Sequence, residues 1–306
     1  MSGANLGRGF LYAILAYVLW GILPLYWKLL ADISPLHILA FRILLSLALT
    51  AIILLAKKNS AWLAVFREPK KAGIMVLTAL VICCNWGLYI WAVNNGHTIE
   101  ASLGYYINPL LSIILGLIFF RERLLPLQWA AVAIAFTGVL ILTVLSGSLP
   151  LISLLLALTF GFYGLLKKML GLAALESLGA ETLTSAPVGI ILLCFSFAGA
   201  GNNPSIPGFT GFRGLAYLAD LPLQTLVLLS LAGLMTTLPL YFFAHGTKLL
   251  PLSALGFTQF INPTMQFVLG LFVFGETFPP RYFVTFGFIW TAVILYIVSL
   301  KPVTKN

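Results

Sequence analysis

Residues 124–166 read LLPLQWAAVAIAFTGVLILTVLSGSLPLISLLLALTFGFYGLL, 43 residues without a charged side chain. About 20 apolar residues cross the hydrocarbon core of a bilayer, so this run is twice one crossing. Near its middle stands Ser146-Gly147-Ser148-Leu149-Pro150, turn chemistry that ends one helix and starts the next. The stretch is a hairpin of two membrane helices. The composition agrees. Of 306 residues, 61% are hydrophobic and 8% charged, against about 25% charged in soluble domains. Mean hydropathy is +1.06. A soluble enzyme lacks the polar surface to exist with this composition, and a disordered chain needs low hydrophobicity.

Working outward, apolar runs place eight further spans. They fall at 9–27, 36–56, 72–93 and 102–120 before the hairpin, and at 178–197, 223–243, 252–274 and 282–300 after it. The first run is longer than a signal-peptide core and has no small-residue cleavage site, so it is expected to stay as a helix. The connection 199–222 is rich in Gly, Asn and Pro and is expected to be a loop. The expected fold class is an all-α membrane protein of ten transmembrane helices.

The net charge is +9 and the isoelectric point about 9.6. These values suit nucleic acid, but the 17 Lys and Arg stand singly or in small groups between apolar runs. That is how cytoplasmic loops are marked, so the basic balance points to the lipid bilayer and to no nucleic-acid partner. With the N-terminus inside, 13 of the 17 fall in inner segments, leaving Lys28, Arg42, Arg213 and Arg281 elsewhere. Both termini are therefore expected in the cytoplasm. Cys83, Cys84 and Cys194 lie within apolar runs, have no metal spacing, and are expected to be small buried residues.

The chain also repeats itself. Asn108-Pro109, Gly116-Leu117, Phe120, Glu122 and Pro126 recur as Asn262-Pro263, Gly270-Leu271, Phe274, Glu276 and Pro280, at an offset of 154. Leu103-Gly104 recurs as Leu255-Gly256 at 152, and Gly21 and Lys28 as Gly161 and Lys168 at 140. This predicts two five-helix repeats, 9–145 and 150–300. An odd number of spans inverts the second relative to the first, an architecture of secondary transporters with the solute near the midplane.

Several stretches carry a family resemblance: Gly116-Leu-Ile-Phe-Phe-Arg-Glu-Arg-Leu, Phe136-Thr-Gly-Val-Leu, Trp20-Gly21-Ile22, Asn85-Trp86, Trp91-Ala-Val-Asn-Asn95, Glu100-Ala-Ser-Leu-Gly-Tyr105, Ile107-Asn-Pro109, Glu181-Thr182, Gln259-Phe260 and Phe288-Ile289-Trp290. Over nearly its whole length the chain resembles the EamA family of the drug/metabolite transporter superfamily, on its RarD-like branch. The resemblance implies a ten-span permease of the bacterial inner membrane. One departure stands out. The first repeat has Arg121 before Glu122 where the family usually has Gly, whereas the second keeps Gly275-Glu276.

Ionisable residues within a bilayer are costly and commonly functional. Arg42 and Glu181 are the two inside spans, at near-equivalent places 139 residues apart. Facing a central cavity, Arg42 would take an anionic group and Glu181 a cation or a proton. Alternatively, each snorkels or pairs locally. Pro109 and Pro263 interrupt spans four and nine and free the carbonyls of Tyr105 and Gln259. Asn108 and Asn262 beside them offer amides, as a solute-contacting element or as packed kinks. Trp20, Asn85, Trp86 and Tyr105 complete the candidate solute-binding set. Glu122 and Glu276 end spans four and nine, where helix capping is expected.

The sequence thus predicts a secondary transporter of a small organic solute working by alternating access, with proton coupling through Glu181 open to it. No cofactor is expected, and no G-x-x-x-x-G-K-[ST] loop occurs, so ATP does not drive it directly. The rivals are a membrane-embedded enzyme and a regulatory membrane protein. Three scattered His argue against the clustered ligands an enzyme needs.

Overall fold

The computed structural model describes residues 3–30, 32–94, 98–146, 151–198, 221–275 and 280–300. The expected turn at 147–150, the connection 199–220, Glu276 and residues 301–306 lie outside them. Among the described residues all regular structure is helical. In chain order the helices are α1 (Gly3–Lys28), α2 (Pro35–Ala56), α3 (Ala61–Ala64, followed by a 3-10 turn Val65–Arg67), α4 (Pro69–Asn94), α5 (Thr98–Phe119), α6 (Pro126–Ser146), α7 (Leu151–Leu170), α8 (Ala174–Ala198), α9 (Leu223–Leu249), α10 (Leu252–Gln259), α11 (Ile261–Phe272) and α12 (Pro280–Ser299).

Lipid offers the backbone no hydrogen bonds, so each apolar run satisfies its own by coiling. Proline marks the entrances. Pro35, Pro69, Pro126 and Pro280 are the first residues of α2, α4, α6 and α12, where the missing N–H would have been unpaired anyway. Among the described residues seven helices, α1, α2, α4, α6, α7, α8 and α9, hold stretches long and apolar enough to cross a membrane. Gly104–Phe119 within α5 and Phe283–Ser299 within α12 are shorter apolar helices. The chain is a multi-pass, all-α membrane protein.

The expected span at 252–274 is not one helix but two, broken at Phe260. Pro263 has no N–H to return to the carbonyl of Gln259. The Phe260 N–H turns back to Phe257 O at 3.4 Å, and Thr264 meets Phe260 O through both its N–H (3.3 Å) and its Oγ1 (2.8 Å).

Bundle packing follows membrane rules. Large apolar side chains such as Leu55, Val144 and Phe272 point outward, while small residues let helices close on one another. A Cβ on Gly233 would lie 2.6 Å from the Leu45 backbone, and one on Gly256 would lie 2.6 Å from Pro109 O. α1 packs on α9 and on α10–α11, while α7 packs on α4 and α5. α2 lies against α8, α6 against α12 and α5 against α10. The cysteines are free, and Cys84 and Cys194 are exposed on the outside of the bundle rather than buried. In a membrane that face meets lipid, which accommodates a small thiol as readily as a core does.

Candidate functional site

A cavity of about 110 Å³ lies among α1, α2, α4, α5, α7, α9, α10 and α11. Helical spacing aims its walls. α1 contributes Tyr17, Trp20, Pro24 and Trp27 at steps of three or four residues, and α4 contributes Ile82, Asn85, Trp86 and Tyr89 at i, i+3, i+4 and i+7, so each set lies on one face. Tyr105 and Asn108 come from α5, Gln259 from the end of α10, and Asn262 and Gln266 from α11.

Arg42 enters from α2, two turns after Pro35. Its guanidinium carbon lies 4.8 Å from the Trp27 ring centre and 4.5 Å from that of Trp86, within cation–π range of both. Its Nε donates to Thr236 Oγ1 at 2.9 Å, and that hydroxyl donates onward to Ala232 O at 2.8 Å. Among the described side chains, which do not include that of Glu100, the ion pairs are Lys71–Glu68 and Lys167–Glu181, so no carboxylate of theirs meets Arg42. The Asn85 amide donates to Leu156 O (3.0 Å) and Thr159 Oγ1 (2.8 Å). Gln266 Nε2 donates to Asn262 Oδ1 at 3.0 Å. The Tyr17 hydroxyl and Asn108 Oδ1 are buried and have no partner among the described residues. Buried polar atoms are nearly always paired, and those that are not call for an explanation.

Eight of the nine sequence-chosen residues, Arg42, Trp20, Asn85, Trp86, Tyr105, Asn108, Gln259 and Asn262, border this one cavity. Glu181 is not among its lining residues. It lies 2% exposed on α8, with its Oε2 2.5 Å from Lys167 Nζ. Tyr163 donates to both of its oxygens at 3.2 and 3.3 Å, and Lys167 also donates to Ser177 Oγ at 2.9 Å. Rings stand between the two places. Trp20 lies 5.6 Å from Phe160 and 5.4 Å from Phe243, and Phe243 stacks on Tyr163 at 5.7 Å.

Sequence reasoning missed Lys167, Tyr17, Trp27, Thr236 and Gln266. Trp27 and Gln266 carried a usable signal, each being a polar-tipped residue one helical repeat from a chosen one. Tyr17, one turn before Trp20, carried the same signal, and Thr236 carried none. Glu122, beyond the end of α5, caps a different helix from its own. It accepts from Leu252 N (2.6 Å), Ser253 N (2.9 Å) and Ser253 Oγ (2.7 Å) at the start of α10. Among the described residues no group of three His, Cys, Asp or Glu is placed to hold a metal. The site can hold a polar solute by one cation, several amides and aromatic rings.

The model of the EamA-like transporter family matches residues 7–144. Protein RarD of Streptomyces exfoliatus is 41% identical over 290 residues, covering 94% of this chain and 87% of its own. An uncharacterized transporter of Bacillus subtilis, YojE, is 41% identical over 303 residues, covering 98% of this chain and 96% of its own. A solved crystal structure superposes with a TM-score of 0.68 at 17% identity, over 98% of this chain and 99% of that one. The last shows likeness of fold alone.

Proposed function

Because this chain belongs to the EamA-like transporter family, on its RarD-like branch, we propose that it is a secondary permease moving a small organic solute across the bacterial inner membrane by alternating access. One observation carries the reading: both halves of the chain converge on a single polar cavity holding an arginine that no carboxylate meets among the described residues.

The proposed architecture is ten spans in two inverted five-helix repeats, 9–145 and 150–300. Reciprocal contacts support it. Lys28 sits 4.3 Å over the Phe274 ring, and Lys168 sits 5.2 Å over Phe120. The lysines are 140 apart and the phenylalanines 154 apart, the offsets of the repeat, and each lysine rests on the other half's ring. The packing of α1 on α9 mirrors that of α7 on α4, and α1 on α10–α11 mirrors α7 on α5. With both termini cytoplasmic, Trp27, Arg42, Tyr89 and Tyr105 lie toward the outer ends of their helices. The cavity is then nearer the outer face, and the rings around Phe243 close it from within.

Arg42 is the proposed solute anchor, and Trp20, Asn85, Trp86, Tyr105, Asn108, Gln259 and Asn262 complete the contact surface. Proton coupling through Glu181 belongs to the same proposal, resting on a buried titratable pair at membrane depth. The test is flux. Purified protein in liposomes filled with a labelled metabolite mixture should release solutes chemically unchanged, and an imposed pH gradient should accelerate the release. Chemical conversion of a solute would favour an embedded enzyme, and absence of any flux a regulatory protein. For orientation, a cysteine at position 205 should react with an impermeant reagent from outside whole cells. Reaction only after permeabilisation would reverse the topology.

A further inference from the structure

We infer that the solute is a small organic monoanion, with one carboxylate held by Arg42, a hydrogen-bond donor elsewhere on the molecule, and a flat apolar body between them. The inference rests on the transporter reading and deepens it.

Charge comes first. Arg42 is the one ionisable acid or base of the Asp, Glu, His, Lys and Arg types among the residues lining the cavity. Glu181, the acid that the repeat would set against it, is taken up by Lys167 at 2.5 Å. Among the described side chains no carboxylate meets that charge, and within a membrane-spanning bundle it repels a solute cation and holds an anion. A second carboxylate would find no second cation in that lining, so a dianion is disfavoured as well.

Geometry narrows the anion. Nε is committed to Thr236, and the guanidinium lies over the faces of Trp27 and Trp86. The terminal Nη hydrogens remain for a ligand. That pair of parallel donors matches the two oxygens of a carboxylate.

The other end of the solute follows from the orphans. Asn108 borders the cavity at 2% exposure with an unpartnered Oδ1 that accepts, so a solute that reaches this oxygen brings a donor to it. The Tyr17 hydroxyl, buried and equally unpartnered in the same lining, can accept or donate. Trp20, Phe160 and Trp86 supply flat apolar surface in the same lining.

Three probes of similar size differing in charge test this: 4-hydroxybenzoate, its isostere 4-hydroxybenzamide, and 4-hydroxybenzylamine. Their binding to purified protein is read by tryptophan fluorescence, since three tryptophans line the cavity. The acid should bind about 10- to 100-fold more tightly than the amide, the range that one charge-assisted contact supplies. The amine should not bind. Benzoate, lacking the hydroxyl donor, should bind several-fold more weakly than 4-hydroxybenzoate. Arg42→Gln should bring acid and amide to within about 3-fold of each other. If Arg42→Gln does not fold, the charge series on the unaltered protein decides alone. Equal or tighter binding of the amide or the amine overturns the inference, as does failure of the acid to bind at about 10 mM. Binding is measured at equilibrium, so a protein that selects the acid yet carries no flux overturns the transporter reading and leaves this one standing. Flux of cationic solutes does the reverse.

Discussion

Arg42 and Glu181 stand 139 residues apart, one short of the offset at which Gly21 and Lys28 recur, and the molecule treats them in opposite ways. Arg42 borders a cavity, steadied by two tryptophan rings and one hydroxyl, with no acid at hand among the described residues. Glu181 is sealed against Lys167 and Tyr163, behind rings that separate it from that cavity. An ionisable group within a membrane span is therefore not by itself a binding site. What separates the two is whether the protein meets the charge internally. Equivalence in a repeat fixes position; the neighbours decide the role.

The largest expected effect lies on the paired side. Removing one member of a buried ion pair strands the other and costs about 3–5 kcal/mol, whereas replacing both with apolar residues is often neutral. Lys167→Met and Glu181→Leu should each lower stability by about that amount in thermal or denaturant unfolding, and the double variant should regain most of it. If the double variant is stable and still transports, the pair is structural. If it is stable but does not respond to a pH gradient, Glu181 carries the coupling. Arg42 should behave differently. Arg42→Ala should reduce transport about 10- to 100-fold, the value of a charge-assisted hydrogen bond to solute, with membrane level and melting temperature little changed. Arg42→Lys should restore little, because an ammonium lacks the planar fork. Should Arg42→Ala destabilise as much as breaking the ion pair, the contrast between the halves fails.

How far this contrast was legible in the sequence differs by residue. Arg42 and Asn85 stand out because charged and amide groups inside apolar runs are rare, and Trp20 and Trp86 because they lie deeper than the span ends where such rings usually sit. The Asn-Pro motif brought Asn108 and Asn262 with them. Lys167 was hidden by its neighbour. Lys167-Lys168 closes an apolar run and looks like a loop marker, but α7 continues to Leu170. Consecutive helical residues point about 100° apart. Lys167 therefore turns inward, 4% exposed, while Lys168 reaches the Thr247 and Leu250 carbonyls at the end of α9. The broken span was half legible. Pro109 and Pro263 follow identical asparagines, yet α5 runs through its proline while α10 and α11 part at Phe260. The local Asn-Pro motif is the same in both places and does not tell them apart.

The smallest expected effect concerns the other place where the halves differ, Arg121 against Gly275. Both are left-handed, with φ of +51° and +66°. A residue with a side chain is strained there by about 1–2 kcal/mol, and glycine is not. The first half accepts this strain at the corner that delivers Glu122 to the start of α10. That corner is crowded: a Cβ on Gly116 would come within 2.7 Å of Glu122 Oε2. Arg121→Gly should relieve the strain but loosen the unfolded chain, which takes back about 0.5–1 kcal/mol. The net gain should be up to about 1 kcal/mol, seen as a small rise in melting temperature with transport unchanged. Gly275→Ala is the mirror experiment. Nothing lies within 4 Å of a Cβ at that position, so backbone strain rather than crowding opposes the substitution, and stability should fall by about 1 kcal/mol. Opposite signs from the two variants would tie Arg121 to the conformation rather than to its charge. A loss of stability on Arg121→Gly would show that the guanidinium itself is needed there.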